Sequence, residues 1–473
     1  MNDQRLTVVG LGPGNPGLLS REGWTVLETA GTVYLRTACH PAVAGLPPDL
    51  ELISFDDFYE RYPDFGDVYR AIVDRLTDLP PGSVYAVPGD PSVGEATVQG
   101  LRQSGIPFRL IQGISFIEPC LAALGLDALD GLVVADAIGL AAGHHPSFPP
   151  DLVALVSQLH SPFLAGEVKL SLMNQYPEDH PVALIHQASL ADERVERLAL
   201  HAIDRSDSIG DLTTLYVPAV PLDSSFETLQ NTVARLRAPD GCPWDRQQTH
   251  QSLRKHLLEE TYEVLAALDE NDRGGLKEEL GDLLLQITLQ VQIATEESDF
   301  QMADVIGGIQ AKLIRRHPHV FGGLQVGGVE EVLRNWEHFK GQETASGPLA
   351  GVPPSLPALA QAAELQGRAG RLGFDWPNPA GVLEKIQEEL GEIDAAADPE
   401  AKAAEFGDLL FAVVNYARWL EADPESELRL ANQRFRTRFD RMTALSREQG
   451  FEFEDLPPDE MDRLWETVKR EEH

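Results

Sequence analysis

The chain repeats itself, and carboxylates carry the repeat. LLEETYEVLAALDENDRGGLKEELGDLLLQ runs from Leu257 to Gln286, and IQEELGEIDAAADPEAKAAEFGDLLFAVV runs from Ile386 to Val414. Glu259, Glu260 and Glu263 in the first stretch answer Glu388, Glu389 and Glu392 in the second; Glu279 and Asp282 answer Glu405 and Asp408. The correspondence extends outward. CPWD (Cys242 to Asp245) answers GFDW (Gly373 to Trp376), Lys312 and Arg316 answer Arg434 and Arg438, and Trp336-Glu337 with Lys340 answers Trp465-Glu466 with Lys469. Matches in one order at a near-constant offset mean a duplicated module. β patterning nearly vanishes after DSSFETLQ, so the module is expected to be all-α. A Pro/Gly/Ser-rich stretch, Gly341 to Ala360, divides the two copies.

EExxE alone is an ordinary solvated helix face. At about 100° per residue, Glu259, Glu260 and Glu263 share one arc, with Leu257, Leu258, Val264, Leu265 and Leu268 opposite. The second helix changes the argument. Asp282 and Asp408 sit in helices with apolar residues nearly all round, so both are expected to be buried, and a buried carboxylate must be paired or protonated. Glu260 with Glu263, and Glu279 with Asp282, are i, i+3 pairs that share a face. Two such faces opposed make a four-carboxylate cage that stays ionised only around cations. Oxygen-only ligands favour Mg²⁺ or Mn²⁺ over zinc. The expected metal ligands are therefore Glu260, Glu263, Glu279 and Asp282, and again Glu389, Glu392, Glu405 and Asp408.

An anionic substrate beside such a cage needs cations. Lys312 with Arg316 and Arg434 with Arg438 are i, i+4 pairs, and Lys385 lies one turn before Glu389, where the first module has His256. Trp244 and Trp376, beside turns, either stack on a base or close the module core. RRHPHVF (Arg315 to Phe321) reads as a helix broken by Pro318, not as a histidine metal site.

The front block, to about residue 222, reads α/β. RLTVVGLGPG, SVYAVPGDP and TTLYVPAV are expected strands that end in Gly/Pro turns. The turns at Gly10, Gly12, Pro13 and Gly14, and at Pro88, Gly89 and Asp90, let backbone approach a ligand closely. Neither is a G-x-G-x-x-G or a Walker A loop. The domain expectation is 1–222, 223–345 and 346–473. Formal charge is −37, a field that repels nucleic acid and anionic membranes and suits divalent cations. Three scattered cysteines argue against a disulfide framework. With no spanning run and no leader pattern, they point to the cytoplasm.

The motifs resemble known families. CPWD, EExxE…ExxD, RHPHVF, GVPPSLPAL, GFDWP and ANQRFRTRF resemble the MazG family of nucleoside triphosphate pyrophosphohydrolases in duplicated form. GLGPGNPGLLS, YLRT…HP, PGDPSVGE and LYVP resemble the tetrapyrrole (corrin/porphyrin) methylase family. The first resemblance implies an all-α homodimer that converts (d)NTP to NMP and pyrophosphate with Mg²⁺. It places Lys385, Arg434, Arg438, Trp465 and Lys469 near the nucleotide, with Lys312, Arg316, Trp244, Trp336, Trp376 and Lys340 at matching positions. Glu259 or Glu388 would take a proton. Arg434 stands where the family usually has Lys, keeping the charge but not the point-like geometry. The second resemblance implies S-adenosylmethionine at the Gly10–Gly14 and Pro88–Pro91 loops. SVGE after GDP, where an aromatic is common, leaves methyl transfer itself open. Two alternatives stand beside the hydrolase: a methyltransferase with a regulatory helical half, and a non-catalytic nucleotide sensor.

Overall fold

The computed structural model describes residues 6–220, 224–329, 331–332, 335–336, 339 and 349–471. Two compact units partition the chain, Met1–Thr232 and Val233–His473.

The first unit holds two five-stranded sheets. One is wholly parallel, β3-β2-β4-β1-β5, from β1 (Leu6–Gly10), β2 (Thr32–Leu35), β3 (Glu51–Ser54), β4 (Ser83–Val87) and β5 (Phe108–Ile111). Parallel strands covered on both faces read as apolar runs, and side-chain alternation sorts β1 accordingly. Leu6 and Val8 pack with Tyr85 and Val87 under helices Phe65–Thr77 and Ala96–Ser104, while Val9 packs on the other face with Val33, Leu35 and Ala86 against Leu27. The other sheet is mixed, β6-β7-β10-β8-β9. It is built from β6 (Leu132–Asp136), β7 (Val153–Ser157), β8 (Pro181–His186), β9 (Arg194–Ala199) and β10 (Thr213–Val217). Ligands of open parallel sheets bind beyond the carboxyl ends of the strands. The turns after β1, β2 and β4 all open there.

The second unit is helical. Its frame is two helix hairpins, one per repeat: Arg254–Asp269 with Arg273–Glu297, and Pro379–Ala395 with Pro399–Trp419. Local chemistry sets each reversal. In the first, Asn271 takes φ 53° and the Asp272 carboxylate caps the next helix by accepting from the Gly274 amide. In the second, Asp398 accepts from the Ala401 amide and Pro399 occupies the first turn. The reversals put each EExxE opposite its ExxD. Helices Pro243–Arg246, Met302–Arg316, Pro318–Phe321, Ala358–Arg371, Pro424–Glu448 and Pro458–Glu471 also belong to the unit. The repeats touch where the Arg429 guanidinium donates to Asp269 at 2.7 Å. Among the described residues no helix is long and apolar enough to cross a membrane.

The expected burial of Asp282 and Asp408 does not hold. Asp282 is half-buried and Asp408 exposed. The apolar residues around them, Leu280, Leu284 and Ile287 in one helix and Phe406, Leu410 and Phe411 in the other, are themselves 39–53% exposed in the single chain. Apolar composition all round a helix marked surface left uncovered here.

Candidate metal and nucleotide centre

Glu260, Glu263 and Glu279 bring one carboxylate oxygen each to within 4.8 Å of one another, and Glu389, Glu392 and Glu405 do the same. The fourth expected member, Asp282 or Asp408, stays outside each cluster, although Asp282 is near enough to act on its neighbours' charge. The Glu260 carboxyl is pushed above its usual range by lost hydration, by a hydrogen bond with Glu263 and by repulsion from Asp282, Glu263 and Glu279. Lost hydration and then Glu263, Glu278 and Asp282 push Glu279 the same way. In the second cluster lost hydration raises Glu392, with repulsion from Glu389, Glu405 and Glu388 set against the opposing pull of Lys385. These are acids held in one another's field, each raising the cost of ionising its neighbours.

The modules differ in where their own cations go. Lys385 Nζ lies 2.7 Å from Glu389 Oε1 and 3.0 Å from Glu388 Oε1, and these two bonds, Glu389's foremost, raise the lysine's pKa. Glu389 is 3% exposed, and its Oε2 is buried with no hydrogen-bond partner. In the first module Lys255 and His256 both reach Glu259, each at 3.2 Å, and neither reaches Glu260.

The duplicated Arg/Trp pairs adopt the same contact twice. The Arg316 guanidinium lies 5.3 Å from the Trp336 ring centre and that of Arg438 lies 5.6 Å from Trp465. Lys312 and Arg434 are exposed on their helices. Lys469 pairs with Glu466 at 3.1 Å. Trp244 is 56% exposed, edge-on to His256, and Trp376 is 38% exposed over Gly381, so neither is a core residue. Lys340 lies outside the described residues. The helix through RRHPHVF ends at Arg316 and restarts at Pro318, as the proline requires.

In the N-terminal unit a cavity of about 740 Å³ opens at the strand ends. Pro13, Pro88, Gly89 and Asp90 line it. Gly10 and Gly12 serve the backbone instead. A Cβ on Gly10 would meet the Gly89 carbonyl oxygen at 2.6 Å, and Gly12 exchanges backbone hydrogen bonds with Gly89. Gly14, at φ 125°, packs on Leu190. Residue-by-residue reading of the glycine loops missed Arg36, His40, Tyr59 and Tyr69, which also line the cavity. Two of them lie within the YLRT…HP stretch.

Comparison with known proteins agrees with this division. Residues 248–321 match the MazG nucleotide pyrophosphohydrolase domain and residues 5–204 the tetrapyrrole (corrin/porphyrin) methylases. A Bacillus subtilis protein, described as uncharacterized protein YabN, is 38% identical over 491 residues, covering 99% of both chains. The Thermotoga maritima nucleoside triphosphate pyrophosphohydrolase/pyrophosphatase MazG is 46% identical over 247 residues, 52% of this chain and 95% of its own. The chain belongs to the MazG family. It carries the MazG part behind a tetrapyrrole-methylase domain, in the full-length arrangement shared with YabN. Among solved structures, uroporphyrin-III C-methyltransferase from Thermus thermophilus is 24% identical, with a TM-score of 0.35, covering 46% of this chain and 93% of that one. Within the MazG part, the family match falls on the first module, which holds Glu260, Glu263, Glu279 and Asp282.

Proposed function

We propose that this protein is a divalent-cation-dependent nucleoside triphosphate pyrophosphohydrolase, converting (d)NTP and water to (d)NMP and pyrophosphate. The observation that carries the reading is the twice-built three-carboxylate cluster. Its residues suit Mg²⁺ or Mn²⁺: the donors are all oxygen, they converge without a cation in the first module, and the buried Glu389 Oε2 in the second lacks a partner. Glu260, Glu263 and Glu279, joined by Asp282, would hold the metal in one module; Glu389, Glu392 and Glu405, joined by Asp408, would hold it in the other. When bound, such ions neutralise phosphate oxygens and favour attack by water. The chain's own groups do the rest. Lys385, Arg434 and Arg438, and Lys312 and Arg316 in the first module, bind the phosphates. Trp465, Trp376 and Lys469, with Trp244, Trp336 and Lys340 opposite them in the repeat, position the nucleotide. Water attacks the α-phosphorus, the bond to the bridging oxygen breaks, and pyrophosphate leaves. Glu388 or Glu259, one residue from a cluster ligand, takes the proton.

The T. maritima relative's name supports the activity. The exposed apolar faces of Arg273–Glu297 and Pro399–Trp419 support a homodimer formed through the helical modules. We place S-adenosylmethionine in the N-terminal cavity at Pro13 and Pro88–Asp90, on the strength of the methylase match, and the whole protein in the cytoplasm. The test is product analysis. Purified protein, Mg²⁺ and a panel of (d)NTPs should give NMP and pyrophosphate one for one, and EDTA should stop the reaction. Release of orthophosphate, or full activity in excess EDTA, contradicts the reading.

A further inference from the structure

Arg36, His40, Asp56, Tyr59, Phe65 and Tyr69 form one wall of the N-terminal cavity. Arg36 is the one Lys or Arg among the described lining residues, and its charge is matched from within the protein. Its Nε lies 3.3 Å from Glu95 Oε1, and its guanidinium lies 5.0 Å and 4.7 Å from the ring centres of Tyr59 and Tyr69. The carboxylates are matched too. Glu95 also accepts from the Thr97 amide and hydroxyl. Asp56 accepts from the Ala38 amide at 2.9 Å and the Ser54 hydroxyl at 2.5 Å; burial opposes its ionisation, but these bonds and Arg36 keep it below the usual carboxylate range. Asp90 accepts from the Ser92 and Gly113 amides.

What the paired charges leave on the wall is flat and uncharged: an exposed ring and a buried imidazole. Phe65 touches Tyr59, Tyr69 and His160 ring to ring, stacked on Tyr69 at 6.1 Å, and is 47% exposed. His40 is 6% exposed, and its Nδ1 has no hydrogen-bond partner. Burial pushes its imidazole down to about 4, so it is neutral at pH 7 and offers hydrogen bonding without charge. A polyanion here would meet four carboxylates, Asp56, Asp90, Glu95 and Asp211, and one cation already taken. An added cation would face Arg36 across the same two rings.

We propose that this wall recognises an uncharged, planar, hydrogen-bonding ring of nucleobase type, and that it turns away the polycarboxylate macrocycles on which a tetrapyrrole methylase would act. The inference goes beyond the methylase reading and uses it only for the cofactor. Ring stacking supplies the contact area and His40 the polar recognition.

The test is calorimetric binding to the full chain at pH 7. The probes are S-adenosylhomocysteine, adenosine and guanosine without phosphates, and uroporphyrin III. At least one nucleoside should bind with S-adenosylhomocysteine already saturating. Its affinity should fall roughly tenfold in Phe65→Ala, the loss expected for one ring stack, and also in Tyr69→Leu. Phe65 is half in solvent, so its removal leaves the core intact. Repeating the titration in excess EDTA should leave nucleoside binding unchanged, which separates this wall from the helical clusters. Complete displacement of both nucleosides by S-adenosylhomocysteine overturns the proposal. So does wild-type nucleoside affinity in both wall variants, or saturable uroporphyrin III binding that weakens with salt. If S-adenosylhomocysteine fails to bind while a nucleoside binds as described, the cofactor reading fails and the wall stands.

Discussion

The two helical modules carry the same acids but answer their mutual repulsion differently. In the first, Glu260, Glu263 and Glu279 converge with no cation of the protein's own among them in the described residues, and Lys255 and His256 both pair with Glu259. In the second, Lys385 reaches the cluster member Glu389 and steadies it, while Glu389 Oε2 stays buried and unpartnered. The cluster glutamates are alike in both modules, but the residue one turn before Glu260 is His256 and the residue one turn before Glu389 is Lys385. That difference changes what each cluster is before any ligand arrives. The first is an array of acids under strain. The second is partly neutralised by Lys385.

On the proposed function, this difference predicts that the second module is the stronger catalyst. Glu389→Gln/Glu392→Gln is expected to remove most turnover, roughly a hundredfold or more, whereas Glu260→Gln/Glu263→Gln leaves most of it. Steady-state rates of the two double variants check this, and the opposite pattern reverses the ranking. Next in size, Lys385→Met should slow turnover by about 10²–10³, the usual loss for one preorganised charge-stabilising donor, with helicity by circular dichroism unchanged. A variant as fast as wild type would reduce Lys385 to a structural counter-ion.

The smaller effect has opposite signs in the two modules. In the metal-free protein Glu260→Gln relieves repulsion, and the melting temperature should rise on the order of 1–3 °C at pH 7. Glu389→Gln breaks the Lys385 pair and should lower it by a similar amount. The sign with pH follows from the raised Glu260 and Glu279 carboxyls. A folded-state pKa above the ordinary 4.5 means that the folded chain binds more protons, so this part of the stability falls as pH rises from about 4.5. The gain in Glu260→Gln should therefore shrink as the pH is lowered toward 4.5. Scanning calorimetry in EDTA reads both effects, and equal signs in the two modules would erase the distinction.

How much of this could be read beforehand depended on how local the cause was. β1, β4 and β10 were legible because each is an apolar run closed by Gly/Pro. The EExxE and ExxD faces were legible because helical period fixes which side chains share a face. The burial of Asp282 and Asp408 was misread because composition around a helix does not say whether a neighbour covers it. Gly10 and Gly12 looked like ligand contacts, yet the second glycine turn, Gly89, is what they approach. The Arg36–Tyr59–Tyr69 stack brings together residues from a strand end and two later helices. No local periodicity marks such a meeting. Nor did any spacing say that Lys385 would turn to Glu389 while His256 turned to Glu259, because both lie at i, i+3 or i, i+4 from several acids.

The central claim is that each cluster is a divalent-cation site, and counting bound Mn²⁺ by electron paramagnetic resonance tests it most directly. The wild-type chain should bind Mn²⁺ at both modules. Glu260→Gln/Glu263→Gln and Glu389→Gln/Glu392→Gln should each lose the occupancy of one module, and the fourfold variant should retain only weak surface binding that Mg²⁺ does not compete for. Undiminished Mg²⁺-competable Mn²⁺ binding in the fourfold variant, with the chain still helical, would contradict the account.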